Sequence, residues 1–316
     1  MNPKEFEKVN PDNAVSWMDV PRDWRRPEVD ESYKIFWDSN RRFGQILPRP
    51  NAHEAISFYD LDDYYTHDAG KKHEATDVSF PQKVQTKLSW WADKGTEPNK
   101  EWWGRTLTQK NMRILEIGCG NGSNLSIFRS LGHDTIGVEP DVAALEAARE
   151  QGHTVFQGTA EELPQDVLHE RFDAIVFMHV LEHCIDPFVA VKNAVELLET
   201  GGVLVAEVPN NECLGAKRFG ELWYWLDVPR HLNFFTARSL DELVSFAGLR
   251  ESSIFYRGYS RQFGDGWKKS QSHIASVIGK ASDRRVKSSN YWKYLFGTIF
   301  ASDARKYDSI RIVASL

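Results

Sequence analysis

Arg113-Ile114-Leu115-Glu116-Ile117-Gly118-Cys119-Gly120-Asn121-Gly122-Ser123-Asn124-Leu125 is the stretch that decides the fold. Ile114, Leu115 and Ile117 make an apolar run of strand length, and glycines at alternate positions then lead into a helix opening near Ser123. Strand, Gly-rich turn and helix N-terminus together form a backbone cradle for a ligand. Glycine suits the turn because it tolerates positive φ and lets the main chain approach a ligand with no Cβ between them. One such loop says little alone; its meaning comes from the residues downstream at fixed spacing.

Beyond this turn, strand and helix patterns alternate. Strands are expected at 112–118, 134–139, 154–157, 172–178 and 203–208, and helices at 122–131, 141–151, 186–199 and 236–247. Gly201-Gly202 reads as the C-cap of the third helix. Such alternation predicts an α/β fold, a doubly wound sheet with its site at the C-terminal strand ends. Two last strands are expected near 250–257 and 308–315, separated by a helical insertion over about 259–306. Its helices are expected around Ser270–Lys280 and Tyr291–Ala301. The sequence thus divides into an arm or cap at 1–104 and an α/β domain at 105–316. The arm is Pro-interrupted and carries Trp17, Trp24 and Trp37, so it reads as extended or partly helical chain lying on a core. Residues 82–93 have helical spacing, with Val84, Leu88 and Trp91 on one side, and Asp60–His67 is a polar-aromatic cluster.

The bulk composition excludes several classes. With 316 residues, 41% hydrophobic and 12% aromatic, the chain can bury a sizeable core. A net charge of −6 gives no sign of a DNA partner. No window approaches the roughly 18 apolar residues of a membrane span. The N-terminus lacks the apolar stretch of a secretory signal, and Cys119, Cys184 and Cys213 fit neither a disulfide framework nor a CxxC site. A cytoplasmic location is the expectation.

The second strand ends Thr135-Ile-Gly-Val-Glu-Pro-Asp141, placing Glu139 21 residues after Gly118, where a carboxylate can accept from both hydroxyls of a ribose. The same spacing occurs in dinucleotide sites, but Ser123 stands where GxGxxG requires its third glycine, so a nicotinamide oxidoreductase is disfavoured.

Leu115–Gly122 with Glu139 resembles the class I (Rossmann-like) S-adenosylmethionine-dependent methyltransferases. Gly158-Thr-Ala-Glu-Glu-Leu-Pro164, Phe172–His183 and Leu197-Leu-Glu-Thr-Gly-Gly-Val-Leu204 agree with that family, and the likeness covers roughly 110–257. It implies a seven-stranded sheet with the last strand antiparallel, and S-adenosyl-L-methionine as methyl donor. By the resemblance, Gly118, Gly120 and Gly122 would pack against the methionine part of the donor while Glu116 holds its amino group. Glu139, followed by Pro140, would take the ribose hydroxyls. Ala160 and Glu161 would line the adenine. Thr159 stands where the family usually has Asp reading the adenine amino group, a weaker acceptor than a carboxylate.

His179-Val-Leu-Glu-His183 matches the H-x-x-E-H pattern of some zinc proteases, but its place at the end of a sheet strand argues against that reading. It is also similar to the E-x-x-E-H of small-RNA 3′-terminal 2′-O-methyltransferases, which add a downstream histidine and bind a metal that holds the acceptor's vicinal hydroxyls. His179, Glu182, His183 and His231 partly reproduce that quartet. A divalent metal is the less favoured alternative; the favoured one sets His179 near the donor and His183 near the acceptor, with no metal ligand assigned. His231, in Asp227–Leu240, is a candidate general base, since an imidazole can remove a hydroxyl proton. Thr236 is the expected N-cap of the next helix, with Phe234 and Phe235 packed beneath it.

Phe219, Trp223, Tyr224 and Trp225 would suit the walls of an acceptor pocket. Residues 259–306 hold ten Lys or Arg against three Asp, a local charge of +7 that points to an anionic acceptor or a peripheral membrane contact. The expectation is a methyltransferase acting on oxygen of a saccharide or other small metabolite, phosphorylated or not. The alternatives are a metal-dependent 2′-O-methyltransferase acting on an RNA end and a non-catalytic cofactor-binding subunit.

Overall fold

A computed structural model describes residues 14–58 and 79–316. The elements run β1 (Val15–Val20), β2 (Tyr33–Asp38), β3 (Phe43–Ile46), α1 (Ala52–Ser57), α2 (Phe80–Ala92), α3 (Lys100–Thr106), β4 (Arg113–Ile117), α4 (Ser123–Ser130), β5 (Asp134–Glu139) and α5 (Val142–Glu150). They continue with β6 (Thr154–Gln157), α6 (Gln165–Leu168), β7 (Phe172–Met178), α7 (Pro187–Leu197), β8 (Leu198–Pro209), α8 (Leu214–Phe219), β9 (Asn233–Phe234) and α9 (Ala237–Phe246). The last elements are β10 (Arg250–Arg257), α10 (Asp265–Val277), α11 (Ser288–Thr298), α12 (Asp303–Lys306) and β11 (Ser309–Ser315).

Seven strands form one sheet in the order β10-β11-β8-β7-β4-β5-β6. β6, β5, β4, β7 and β8 run parallel, and β11 is antiparallel to both its neighbours. This is the α/β sheet expected from the sequence. The chain leaves β4 in one direction towards β5 and β6 and returns to the other side for β7 and β8, so a crevice opens beyond the carboxyl ends of β4 and β7. Central strands buried on both faces read as continuous apolar runs, as Ala174–Phe177 do, all at 0% exposure. One core layer sets Phe188, Val191, Leu240 and Leu243 of α7 and α9 against the sheet. The opposite layer sets Trp103, Leu125, Phe128 and Leu145 of α3, α4 and α5 against it.

Helix starts follow local chemistry. Asp141 accepts from the Ala144 amide to open α5, and Asp186 accepts from Phe188 and Val189 to open α7 with Pro187 in the first turn. Thr236 and Ser239 form a reciprocal capping box at α9, and Phe234 and Phe235 are fully buried beside it. At the end of α7 the expectation fails. Helix α7 stops at Leu197 because Leu198 is extended and pairs with Phe172; Gly201, at φ 76°, lies within β8 where the register shifts, so it is no helix cap.

The N-terminal region is more ordered than its prolines suggest. β1, β2 and β3 form an antiparallel sheet whose fourth strand, β9, comes from the α/β domain. Its residues join the helices of the C-terminal insertion in a second core rich in aromatic rings, including Trp17, Trp37, Trp223, Trp267 and Tyr294. The 104/105 division falls inside α3, whose Trp102 and Trp103 pack into the α/β core. Helix α2 buries Gln85, Ser89 and Ala92; of the expected Val84–Leu88–Trp91 face Leu88 packs on the second core while Trp91 is 62% exposed, so the packed face is rotated from the expected one. Polar contacts set that rotation: Gln85 accepts from Lys268, and Gln82 donates to Asp265 at 2.8 Å. The insertion helices form as α10 and α11, each beginning several residues before its expected start. The Asp60–His67 cluster lies outside the described residues.

Candidate active site

The glycine turn begins where β4 ends. Gly118 and Cys119 donate to the Val138 carbonyl, and Gly118, Gly120 and Gly122 hold φ of 72°, 53° and 81°. A Cβ on Gly118 would collide with a Val180 methyl, and one on Gly122 would stand 2.6 Å from the His153 ring. At Gly120 a Cβ would meet nothing within 4 Å, so the turn bares its backbone to the crevice there. Glu139 turns back to the same turn, accepting from Gly120 at 2.8 Å and from Asp141 at 3.0 Å. Pro140, next to it, is exposed. Glu116, below the turn, is buried; its Oε1 accepts from Asn124 at 2.7 Å and its Oε2 has no hydrogen-bond partner. Burial pushes the Glu116 carboxyl up to about 8, against the Asn124 hydrogen bond. An open cradle at Gly120, an orphaned carboxylate oxygen below it and an acid at the end of β5 fit the amino group and ribose of S-adenosylmethionine.

At the expected adenine edge the structure gives two side chains other partners. Thr159 accepts from the Glu162 amide at 3.0 Å, and Glu161 accepts from the Ile185 amide at 2.7 Å. Ala160 is buried, its carbonyl accepting from Asn193.

The acceptor side is built where the loop after β7 meets the loop before β9. Leu232 and Asn233 donate their amides to the Glu182 carbonyl, and the Asn233 side chain donates to Leu181 and Cys184. Arg49, between two prolines of the N-terminal region, donates to Leu232, Cys184 and Ile185 carbonyls and ties the loops together. Arg230 is buried between Asp23, at 2.6 Å, and Asp227, at 3.1 Å, anchoring the second loop to the N-terminal sheet. The result sets the His183 and His231 rings edge to face, with centroids 4.7 Å apart. Glu182 joins them: one ligating atom from each of the three lies within 4.8 Å of the other two.

His179 stands just past the end of β7, between two acids. Its Nδ1 lies 3.0 Å from Glu182 and its Nε2 lies 3.1 Å from Glu207, so both nitrogens face carboxylates. Burial alone would depress the imidazolium, but the hydrogen bonds to these two acids outweigh it and lift His179 to about 9. The residue adopts φ 58°, costly for a side chain of this size, and its ring stacks on Trp225 at 5.1 Å. Glu207, from β8, also takes Arg311 at 2.5 Å. His183 and His231 go the other way: burial lowers both, His231 to about 4 with help from the neighbouring His183. The two imidazoles are neutral at physiological pH.

Sequence reasoning missed Glu207, Arg49, Arg230 and Asn233. An acid within the apolar run Val203–Val208 was a usable signal for Glu207; the other three act through contacts that only the fold creates. Part of the insertion's charge is paired: Arg261 with Asp308 and Lys280 and Arg285 with Glu221, acids outside the segment, and Lys269 with Asp265 within it. Among the described residues no helix is long and apolar enough to cross a membrane.

Residues 97–252 match the family described as methyltransferase domain. The chain is 36% identical over 157 residues to a ubiquinone biosynthesis O-methyltransferase of Azorhizobium caulinodans, covering 46% of this chain and 61% of that protein. It is 29% identical over 171 residues to the protein of the same name from Nitrobacter winogradskyi, covering 50% and 64%. The chain thus spans under two thirds of the length of these relatives. Among solved structures, a SAM-dependent methyltransferase from Archaeoglobus fulgidus is similar over 75% of this chain and all of that one, at 18% identity and TM-score 0.47. The sheet order, the glycine turn with Glu116 and Glu139, and the match over 97–252 place the α/β domain of this chain in the class I S-adenosylmethionine-dependent methyltransferase family.

Proposed function

We propose that the protein transfers a methyl group from S-adenosylmethionine to a hydroxyl oxygen of a small, ring-shaped acceptor. The observation that carries this reading is the meeting of two sites at the carboxyl ends of two neighbouring central strands. The donor cradle at Gly118–Gly122 follows β4, and the His183–His231 pair follows the neighbouring strand β7. Bound S-adenosylmethionine supplies a methyl on a sulfonium, an activated leaving group, so the protein's task is to bring an oxygen in line with it. His183 and His231 are neutral, and a lone pair of either can accept the acceptor's O–H and aim the oxygen. Glu116 and Glu139 fix the donor. Trp225 and Tyr224 form an aromatic wall beside the pair, suited to a flat or sugar ring.

That the curated relatives are O-methyltransferases of ubiquinone biosynthesis supports oxygen as the methylated atom and favours a phenolic ring over a saccharide. Four cations of the 259–306 segment already have acidic partners, which weakens the case for a phosphorylated acceptor. The test is release of S-adenosylhomocysteine during incubation with mono- and dihydroxylated phenols, free sugars and sugar phosphates. Turnover confined to phenols is expected. Binding of the donor with turnover of no hydroxylated ring would overturn the reading.

A further inference from the structure

Five Phe or Trp rings among the described residues are exposed, and all five lie on two helices or just beyond them. Phe80, Trp90 and Trp91 are on α2, Phe296 is on α11, and Phe300 stands two residues past its end. Phe300 is 87% exposed and Trp90 68%. Each helix buries one face and turns another outward. On α2, Gln85, Ser89 and Ala92 are buried while Lys83, Lys87, Trp90 and Trp91 are exposed, the spacing of one helical stripe. On α11, Tyr291, Tyr294, Leu295 and Thr298 are buried while Lys293 and Phe296 are exposed. Lys306 fastens the two helix ends together, its ammonium donating to the Ala92 carbonyl at 2.5 Å and to the Ile299 carbonyl at 3.2 Å. Trp91 and Phe300 are the chain neighbours of those two residues, so the rings at both helix ends gather on one part of the surface. Phe296 is held there by stacking on the half-buried Trp292 at 5.7 Å.

Clustered rings of this size, rimmed by polar residues, mark a surface that meets something apolar. The charge around them says what. Over 80–94 and 288–306 the exposed charged residues are Lys83, Lys87, Lys94, Lys293, Arg305 and Asp303, five cations against one acid, in a chain whose net charge is −6. Protein–protein interfaces are depleted of lysine, whereas here lysines share a stripe with the rings. A membrane surface takes both groups: Trp and Phe enter the boundary between headgroups and acyl chains, and the long cations reach the phosphates. We propose that the adjoining ends of α2 and α11 form a peripheral docking surface for an anionic lipid bilayer. Trp90, Trp91, Phe296 and Phe300 enter the headgroup boundary, and Lys83, Lys87, Lys94, Lys293 and Arg305 face the anionic lipids. The docking surface does not depend on the function proposed above. It also divides the positive charge of 259–306: Arg261, Lys280 and Arg285 serve acids of the fold, while Lys293 and Arg305 join the lysines of α2.

The experiment is co-sedimentation of the full chain with vesicles of phosphatidylcholine alone and of phosphatidylcholine mixed with phosphatidylserine, at low and at high salt. Pelleting with the mixed vesicles is expected, reduced at high salt by screening and weak with phosphatidylcholine alone. Lys83→Gln with Lys87→Gln should lower vesicle affinity by roughly 5-fold for each cation removed. Trp90→Ser with Trp91→Ser should lower it by at least ~10-fold, and so should Phe296→Ser with Phe300→Ser. Val142→Ser on α5 and Lys192→Gln on α7, exposed side chains elsewhere on the α/β domain, should leave it unchanged. Thermal melts report that each variant is folded. Should the tryptophan pair fail to fold, the phenylalanine pair decides. A folded wild type that stays in the supernatant with the mixed vesicles overturns the proposal, and so do ring variants that pellet as the wild type does. Equal pelleting with both kinds of vesicle overturns it too, since the cations would then be idle. Sedimentation velocity without lipid covers the protein alternative: a dimer that the tryptophan substitutions dissolve would give the patch to a second copy of the chain in place of the bilayer.

Discussion

Gly120→Ala separates the cradle from the fold. At φ 53° an alanine carries the left-handed penalty of about 1–2 kcal/mol, but its Cβ meets no protein atom within 4 Å. Stability should therefore fall by roughly that amount, a melting shift of about 2–8 °C for a domain of this size. The methyl enters the space where the donor must lie, and overpacking of about 1–3 kcal/mol there corresponds to roughly 5–150-fold weaker binding. Gly132→Ala is the control. It too sits in the left-handed region, at φ 90°, with nothing within 4 Å of its Cβ, but it lies in the turn after α4. It should cost similar stability and leave affinity unchanged. Gly118→Ala adds a clash with Val180 and should lose both stability and binding. Calorimetric titration with S-adenosylhomocysteine alongside thermal melts reads all three. Wild-type affinity in folded Gly120→Ala would refute the assignment of this turn to the donor.

Glu116 gives a pH signature in the donor-free protein. Burial raises its carboxyl from near 4.5 to about 8, so the native state holds one more proton than the unfolded chain between those values. Its contribution is full below pH 4.5, declines as pH rises and is gone above about 8. Glu116→Gln, which mimics the protonated form, should raise the melting temperature at pH 8 and change it little at pH 5; equal shifts at both pH values would contradict this. Arg230→Met removes the cation shared by the buried Asp23 and Asp227 carboxylates and leaves them to Arg26 and Arg25, which should cost about 1–3 kcal/mol by chemical denaturation, less than a fully uncompensated buried charge. A loss below about 1 kcal/mol would mean the anchor is idle. Trp225→Ala removes the ring stacked on His179 and the wall beside His231, so KM for a ring acceptor should rise with donor affinity unchanged. A parallel loss of donor binding would place Trp225 on the other side of the site.

The parts of the protein that depend on neighbours along the chain are legible in the sequence. The β4–glycine–α4 unit, Glu139 at the end of β5, and the caps at Asp141 and Thr236 belong to this group, since the caps and the turn act within a few residues of themselves. The pairing of His183 with His231 is suggested only by the resemblance that groups them with His179 and Glu182 and not by their spacing, because the two loops are brought together by Asn233, Arg49 and the sheet order. His179 shows the same limit: a histidine in H-x-x-E-H looks like a ligand until Glu207 arrives from β8 to take its second nitrogen. The N-terminal strands are obscured by prolines, although Tyr33, Ile35 and Trp37 alternate with Lys34 and Phe36 as a strand would.

Strand β9 is two residues long, and it reaches from the α/β domain into the N-terminal sheet, where Asn233 and Phe234 pair with Gln45 and Gly44. His231 lies two residues before it, so the arm acts as a jig that sets the height and angle of an acceptor-side ring. Two halves of the chain that look separable in sequence therefore share one mechanical datum. Changes to the arm far from the crevice would retune which acceptor fits, while the donor cradle on the opposite side of β7 would not register them.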